Sequence, residues 1–217
     1  MGVCVALLIL ASCGSPSKFR TYNGPEVTQI RVYKAERRME LWHNDRMLRA
    51  FRVQLGIPNG HKHQEGDRRT PEGRYYIDRR NPNSRFHLSL GISYPNAADR
   101  ERAAARGVSP GGDIFIHGRG PRFQNARGDW TDGCIAVTDR QMEDIYAMVR
   151  NGTPIDIYAS RAAARAQKAP IVVASNPALA VPMTSDAAVA GSGTPTASAG
   201  GEGPLVAADW LTQFQEP

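Results

Sequence analysis

The stretch VTQIRVYKAERRMELWHNDRMLRAFRVQLG, residues 27–56, alternates apolar and polar side chains in three successive runs. A two-residue period is typical of β-strands that bury one face. The pair Asn44-Asp45, which separates the second run from the third, indicates a hairpin turn. The stretch therefore predicts three strands. Their predicted apolar positions are Val27, Ile30, Val32, Met39, Leu41, Trp42, Met47, Phe51, Val53 and Leu55.

The rest of the domain is predicted to contain short strands, loops and about two helices, which makes the fold class α+β and β-rich. Residues 56–72 are dense in Gly, Pro and charge and predict a loop. Helices are predicted from Asn96 to Gly107 and after Thr138, where Thr138 and Gln141 match a capping box. The second helix has Met142, Ile145, Tyr146 and Val149 on one face and closes at Asn151-Gly152, and further strands are predicted at 75–77, 85–90, 114–116 and 153–159.

The beginning of the chain has the pattern of an exported protein. Residues 3–11 are apolar but too few to span a bilayer as a helix, and they match the core of a secretory signal. The following LASC resembles a bacterial lipoprotein signal, so residues 1–13 are expected to be signal and lipobox, with Cys13 lipidated. No Lys or Arg precedes the apolar run, which leaves an ordinary cleaved signal or a mis-called start as alternatives.

A lipidated Cys13 would place the protein in the periplasm or cell envelope, anchored to a membrane by acyl chains. Gly14, where some lipoproteins carry Asp, favours the outer membrane by the same resemblance. Residues 160–217 are rich in Ala, Pro, Ser and Gly and predict a disordered tail. Residues 19–159 are then predicted to form one domain, which is long enough for a single core.

The net charge of +6 favours anionic neighbours. For an exported lipoprotein these are the cell wall and anionic lipid, and nucleic acid is not an expected partner. His61 and His63 lie in a charged loop without an acidic or Cys partner at metal-ligand spacing, so we interpret HKH as a solvated loop. The sequence has no zinc spacing and no phosphate-binding loop, and neither a metal nor a cofactor is expected.

Cys134, in WTDGCIAVTD, is the cysteine that needs an explanation. If Cys4 leaves with the signal and Cys13 carries lipid, Cys134 has no disulfide partner in an oxidising compartment. An unpaired thiol there is open to oxidation, which favours a functional role. The alternative is a small buried hydrophobe, since a cysteine beside Ile-Ala-Val is more often part of a core.

His117 ends the predicted strand of GGDIFIHG and is the candidate base for Cys134. A thiol attacks a carbonyl as thiolate, and a neighbouring imidazole can take its proton. The N–H groups of Gly133 and Cys134 could bind the developing oxyanion. No Asp or Asn stands out as a third member, so a backbone carbonyl could orient His117. A lone histidine at a strand end is also often only structural.

Three segments together carry a family resemblance. IHGRG followed by TDGCIAV, with GDRRTPEGRY upstream, resembles the signature of the L,D-transpeptidase (YkuD-type) catalytic domain. The resemblance implies a mixed β-sandwich fold and acyl transfer on peptidoglycan stem peptides. It implies that Cys134 attacks at the bond to D-alanine and forms a thioester, which an amine then takes up. His117 would be base and acid, Gly133 with the Cys134 amide would bind the oxyanion, and Gly118 and Thr131 would shape the cleft.

One position departs from the family. Many members have Arg two residues after the cysteine, and this chain has Ala136. Arg119, Arg122 or Arg127 could supply the missing cation, although each could be an ordinary loop charge. The sequence also resembles the branch of murein L,D-transpeptidases that includes a peptidoglycan–lipoprotein-releasing amidase. A hydrolase that cleaves cross-links or peptidoglycan-linked lipoprotein is therefore an alternative, and an inactive wall-binding lipoprotein is another.

Overall fold

Alternating apolar runs build one mixed sheet of eight strands within the part of the chain that the structure describes, in the order β3-β2-β1-β8-β4-β5-β6-β7. The structure is a computed structural model, and it describes residues 17–168. The predicted signal, Cys13 and residues 169–217 of the predicted tail lie outside these residues. The strands are β1 Gln29–Tyr33, β2 Arg38–His43, β3 Arg46–Arg52, β4 Gly73–Asn81, β5 Ser89–Ile92, β6 Phe115–His117, β7 Ile135–Ala136 and β8 Pro154–Tyr158, and the helices are α1 Ala97–Ala104, α2 Asp139–Met148 and α3 Arg161–Lys168.

The three predicted N-terminal strands are confirmed as the antiparallel meander β1-β2-β3, with the turn at Asn44 in the left-handed region at a φ of 52°. Eight of the ten predicted apolar positions are buried, and Trp42 and Met47 are not. Side chains alternate along a strand, so Leu41 and Trp42 cannot both face the core. Met47 pairs with Trp42 beside an irregularity between β2 and β3, and it shares the outer face.

The sheet curls until its two edges meet. Gln54, just after β3, forms an antiparallel bridge with Ala136 of β7, in which each backbone N–H donates to the other's carbonyl at 2.8 Å. β1 and β8 pair in parallel, as do β6 and β7. The curl brings the loop after β3 against the segment that carries Cys134.

The structure confirms one predicted helix feature and changes two predicted boundaries. Thr138 and Gln141 form the predicted capping box of α2. The strand predicted at 85–90 begins only at Ser89, because His87 has a φ of 77° and interrupts the extended chain. Ordered chain continues past residue 159, since α3 packs beside β8 where a tail was predicted. The Arg161 N–H donates to the Glu36 carboxylate at 3.1 Å and fixes the start of α3.

Candidate active site

Cys134 lies at the end of a tight turn that leads into β7. The Thr131 hydroxyl donates to the carbonyl of Cys134 at 2.7 Å and accepts from the N–H of Gly133 at 3.3 Å. Gly133 has a φ of 113°, and a Cβ here would lie 2.6 Å from the carbonyl oxygen of Arg69. Residue 133 therefore has to be glycine for the turn to pack against the preceding loop.

The thiol of Cys134 contacts a backbone carbonyl, on a residue that is partly exposed. Its Sγ donates to the backbone oxygen of Asp113 at 3.5 Å. Burial raises the pKa of the Cys134 thiol to about 11, and the carboxylates of Asp113 and Asp132 act in the same direction. A backbone hydrogen bond from Phe115 partly opposes this shift in pKa. The thiol is therefore neutral at physiological pH and needs a base before it can attack.

His117 is oriented by the backbone. It is the last residue of β6 and only 3% exposed. Its Nδ1 donates to the carbonyl of Gly118 at 2.6 Å, so Nδ1 carries the proton and Nε2 is the basic nitrogen. Burial lowers the pKa of His117, which keeps the ring neutral at pH 7. The Gly118 carbonyl thus orients His117, a role for which no Asp or Asn stood out in the sequence.

The parallel pair β6 and β7 puts both groups on one face of the sheet. Ile116 pairs with Ile135, and His117 pairs with Ala136. Because side chains alternate, His117 and Cys134 both face away from the side that buries Ile116 and Ile135. Within residues 17–168 no hydrogen bond joins the Cys134 Sγ to His117. The resting arrangement is a neutral thiol and a neutral imidazole on the same face.

An aromatic cluster covers the His117 ring, and the sequence analysis missed it. The centroid of Phe86 lies 4.4 Å from that of His117, and the centroid of Trp130 lies 5.7 Å from it. Phe123 stacks on Trp130 at 4.5 Å. These rings remove water from around the imidazole, which is the physical cause of its lowered pKa. Phe86 was assigned to a strand, and the aromatic residues of the 119–130 loop gave no periodic signal.

Gln54 holds this covering loop in place. Its Oε1 accepts from Trp130 Nε1 at 3.2 Å and from an Arg119 guanidinium nitrogen at 3.0 Å. Its Nε2 donates to the carbonyls of Ala126 at 3.2 Å and Gly128 at 2.6 Å. One amide side chain therefore makes four hydrogen bonds to a loop far away in sequence. A polar residue near the end of a strand carries no signal for such a role.

Asp139 fixes the chain that follows His117. Its Oδ1 accepts from the backbone N–H of Arg119 at 2.6 Å and of Gly120 at 2.9 Å. A Cβ on Gly118 would lie 2.5 Å from this oxygen and 2.7 Å from the carbonyl of Phe86. The close approach explains the glycine after the histidine. A role of Gly118 and Thr131 in shaping a substrate cleft stays a prediction.

Two ion pairs that the sequence did not predict lie near Cys134. Arg68 pairs with Asp132 at 3.3 Å, and Arg79 pairs with Asp113 at 3.0 Å, so two ion pairs lie at the segments that contact Cys134. Of the predicted cations, Arg119 and Arg127 line a groove of about 780 Å³ that Ala136 and Gln54 also line, which we call the Ala136 groove. Arg122 lies outside this groove, on an exposed turn beside Phe123.

Residues 17–168 contain no group of three or more His, Cys, Asp or Glu side chains that could hold a metal ion. His61 accepts a hydrogen bond from the backbone N–H of Glu72 at 3.0 Å and lies 3.2 Å from Asp99. No helix in the same part of the chain is both long and apolar enough to cross a membrane.

Residues 28–157, more than half of the chain, match the YkuD family, described as the L,D-transpeptidase catalytic domain. The chain belongs to this family. The match confirms the resemblance drawn from the IHGRG, TDGCIAV and GDRRTPEGRY segments. The mixed, curled sheet with its three helices, within the part that the structure describes, is the α+β, β-rich fold that the resemblance implied.

Two relatives show how far the similarity extends. YafK of Escherichia coli (strain K12), itself only provisionally an L,D-transpeptidase, is 27% identical over 128 residues, which are 55% of this chain and 46% of YafK. The chain spans about half the length of the curated relatives it matches. The helical cell shape determining protein Pgp2 from Campylobacter jejuni has a TM-score of 0.52 at 23% identity, over 68% of this chain and 52% of Pgp2. At that identity the likeness to Pgp2 shows the fold alone.

Proposed function

We propose that this L,D-transpeptidase-family domain transfers acyl groups on peptidoglycan stem peptides through a thioester on Cys134. One observation carries the proposal. The family's cysteine and histidine lie on the same face of β7 and β6, and the Gly118 carbonyl leaves the basic Nε2 of His117 unprotonated. A purely structural cysteine would require neither the histidine on its own sheet face nor a fixed tautomer.

In the proposed reaction, Nε2 of His117 takes the thiol proton while Sγ of Cys134 attacks the carbonyl of the bond to D-alanine. The C–S bond forms, the C–N bond breaks, and His117 returns the proton to the leaving amine. D-alanine departs and the thioester remains. An acceptor amine then loses a proton to His117, attacks the thioester and releases the thiol. Both groups start neutral, so charge develops only as the substrate reacts.

The oxyanion of the intermediate requires hydrogen-bond donors near Cys134. The N–H of Gly133 already donates to the Thr131 hydroxyl in the resting structure. The Cys134 N–H is therefore the stronger candidate, and Gly133 joins it only if the Thr131 hydroxyl turns away. Loss of one such donor costs about 3 kcal/mol of transition-state stabilisation.

Hydrolysis is the second candidate reaction, and Ala136 favours it. This residue is fully buried and pairs with Gln54, so its position offers no cation to the carboxylate of a second stem peptide. Water would then take the acyl group, which would open cross-links or release a peptidoglycan-linked lipoprotein. Arg119 and Arg127 in the Ala136 groove are the candidates for retaining an amine acceptor.

The proposed setting is the bacterial cell envelope, with Cys13 as a lipid anchor to the outer membrane. Membership of the L,D-transpeptidase family and the relation to YafK support a substrate in the cell wall. A wall-binding lipoprotein without activity is the remaining alternative. It leaves the paired placement of Cys134 and His117 unexplained.

Mass spectrometry of reaction products distinguishes these functions. The purified chain and a Cys134→Ala control would be given a disaccharide-tetrapeptide with excess D-methionine, and separately a muropeptide that is still linked to lipoprotein. A D-methionine-exchanged product that is absent from the control supports transpeptidation. Released lipoprotein peptide without exchange supports hydrolysis. No product from either substrate, with wild type and control alike, contradicts the enzymatic proposal.

A further inference from the structure

A second groove, of about 440 Å³, lies over β1, β2, β8 and α3. In the sheet order, β4 and β5 separate β8 from β6, the strand of His117. None of the residues discussed in the active site lines this groove. Its lining combines arginines with aromatic rings, and we call it the arginine–aromatic groove. The residues that define it are Arg31, Arg38, Arg161, Arg165, Tyr33, Trp42 and Tyr158, around Glu40.

Glu40 organises the groove from below. Its carboxylate is only 2% exposed, and it accepts hydrogen bonds from Arg38 Nε at 2.6 Å, from Trp42 Nε1 at 3.1 Å and from Arg161. Burial opposes ionisation, but the hydrogen bonds from Arg38 and Arg161 prevail and lower the pKa of Glu40. The single acidic group of the lining is therefore ionised and already shared by two arginines.

The other two arginines keep their charge available. In the part of the chain that the structure describes, Arg31 and Arg165 have no carboxylate partner within ion-pair distance. The Arg31 guanidinium stacks on Trp42, 4.2 Å from the ring centroid, and its Nε donates to Gln29 at 2.8 Å. Stacking on Trp42 holds the guanidinium plane in place.

A further donor in the groove lacks an acceptor. Within residues 17–168 the Nε of Arg161 is buried without a hydrogen-bond partner, although the same guanidinium lies over the Tyr33 ring at 5.2 Å. Tyr33 and Tyr158 stack with their centroids 5.9 Å apart, and Met47 at the edge is 44% exposed. The groove therefore offers the guanidinium donors of Arg31 and Arg165 beside apolar surface, which suits a carboxylate attached to a larger apolar or sugar-bearing group.

We propose that the arginine–aromatic groove binds carboxylates of the peptidoglycan polymer and anchors it while another stem peptide reacts at Cys134. Stem peptides carry free carboxylates at repeated positions along a glycan strand, and a planar guanidinium matches a carboxylate with two hydrogen bonds. Two sites on one polymer raise the effective concentration of substrate at the reacting site. The identity of the polymer rests on the proposed function, whereas the preference for an anion rests on the groove.

The test compares two charge-matched double variants of the full chain. Arg31→Ala/Arg165→Ala removes the uncommitted charges, and Arg140→Ala/Arg150→Ala removes two exposed arginines outside the groove. Co-sedimentation with purified peptidoglycan sacculi measures the half-saturating protein concentration. We expect it to rise about tenfold for the first variant, the loss that corresponds to charged hydrogen bonds, and to stay unchanged for the second. The single variant Arg165→Glu, on the surface of α3, replaces the first if that one unfolds.

Two further assays separate the outcomes. Turnover of a soluble disaccharide-tetrapeptide should be the same in all variants, because that substrate is too small to occupy both sites. Binding to vesicles of anionic phospholipid is measured in parallel with binding to sacculi. Unchanged sacculus binding by the groove variants would overturn the proposal. Weaker binding to the vesicles alone would also overturn it. If the wild type turns over no substrate and the groove variants still lose sacculus binding, the proposed function fails and the groove assignment stands.

Discussion

The raised pKa of the Cys134 thiol predicts slow alkylation at neutral pH. The pKa of about 11 lies two units above the ordinary thiol value of 9.0, so the thiolate fraction at any pH below both values falls about 100-fold. A more basic thiolate is also more nucleophilic, which offsets about half of this loss on a logarithmic scale. At about pH 7.5 the folded chain should therefore react with iodoacetamide about tenfold more slowly at Cys134 than the same chain in urea. Peptide mass mapping assigns the reaction to Cys134, and the urea sample is its internal reference.

The pH dependence of the alkylation rate is the sharper measurement. Restricted access of iodoacetamide to Cys134 would slow the reaction, but it would not change the pH at which the rate levels off. The logarithm of the rate should rise with pH and level off only near pH 11. His117→Ala should abolish turnover but leave this profile in place, since the imidazole does not contact the resting thiol. Asp113→Asn and Asp132→Asn should each move the profile to lower pH. A rate that levels off below pH 9.0 in the wild type, with a shift upward in His117→Ala, would show a resting thiolate–imidazolium pair and refute the reasoning.

Three other changes test separate parts of the structure. Gln54→Leu removes the four hydrogen bonds to the loop that carries Trp130, so kcat for the soluble substrate should fall at least about tenfold with little change in KM; an unchanged kcat would show that the loop holds itself. Lys34→Met deletes a fully buried ammonium that binds Glu72 and the loop carbonyls. The free energy of unfolding measured in urea should fall by about 3 kcal/mol. A fall below about 1 kcal/mol would contradict this role. Burial lowers the pKa of His117, so the unfolded chain binds this proton more readily than the folded chain. The contribution of His117 to the free energy of unfolding should therefore be fully present above about pH 6.5 and should decline as pH falls below it. His117→Phe should flatten that decline in urea titrations, and an equal slope in both proteins would exclude His117 as its cause.

Much of the scaffold could be predicted because its signals are local. The alternation in residues 27–56 gave the meander, and the capping box at Thr138 gave the start of α2. Trp42, which was assigned to the apolar positions of its strand, shows the limit of prediction from alternation. Leu41 and Trp42 are both apolar, and only strict alternation along β2 decides that Trp42 faces outward. The helix α3 was missed because Ala and Arg also dominate low-complexity tails.

Candidate site residues came from the sequence only where a motif covers them. Cys134 and His117 are candidates by residue type and family pattern, and β6 and β7 place them on one face. Gln54, Asp139 and Phe86 could not have been found this way, because each acts through contacts with residues distant in sequence. The sequence also gave no sign of the ion pair that Arg68 forms near the cysteine. Arg119, Arg122 and Arg127 are close to it in sequence, whereas Arg68 comes close through the fold of the preceding loop.

The bridge between Gln54 and Ala136 also bears on how this protein behaves at high concentration. An open sheet presents two edge strands that can add a strand from another molecule and begin aggregation. Here one edge strand, β7, has only two residues, and the bridge occupies the backbone groups of Ala136. The other, β3, carries Arg46, Arg49 and Arg52, whose charges repel a like strand. The contact that brings the loop after β3 against the Cys134 segment therefore also protects the molecule against edge-to-edge self-association.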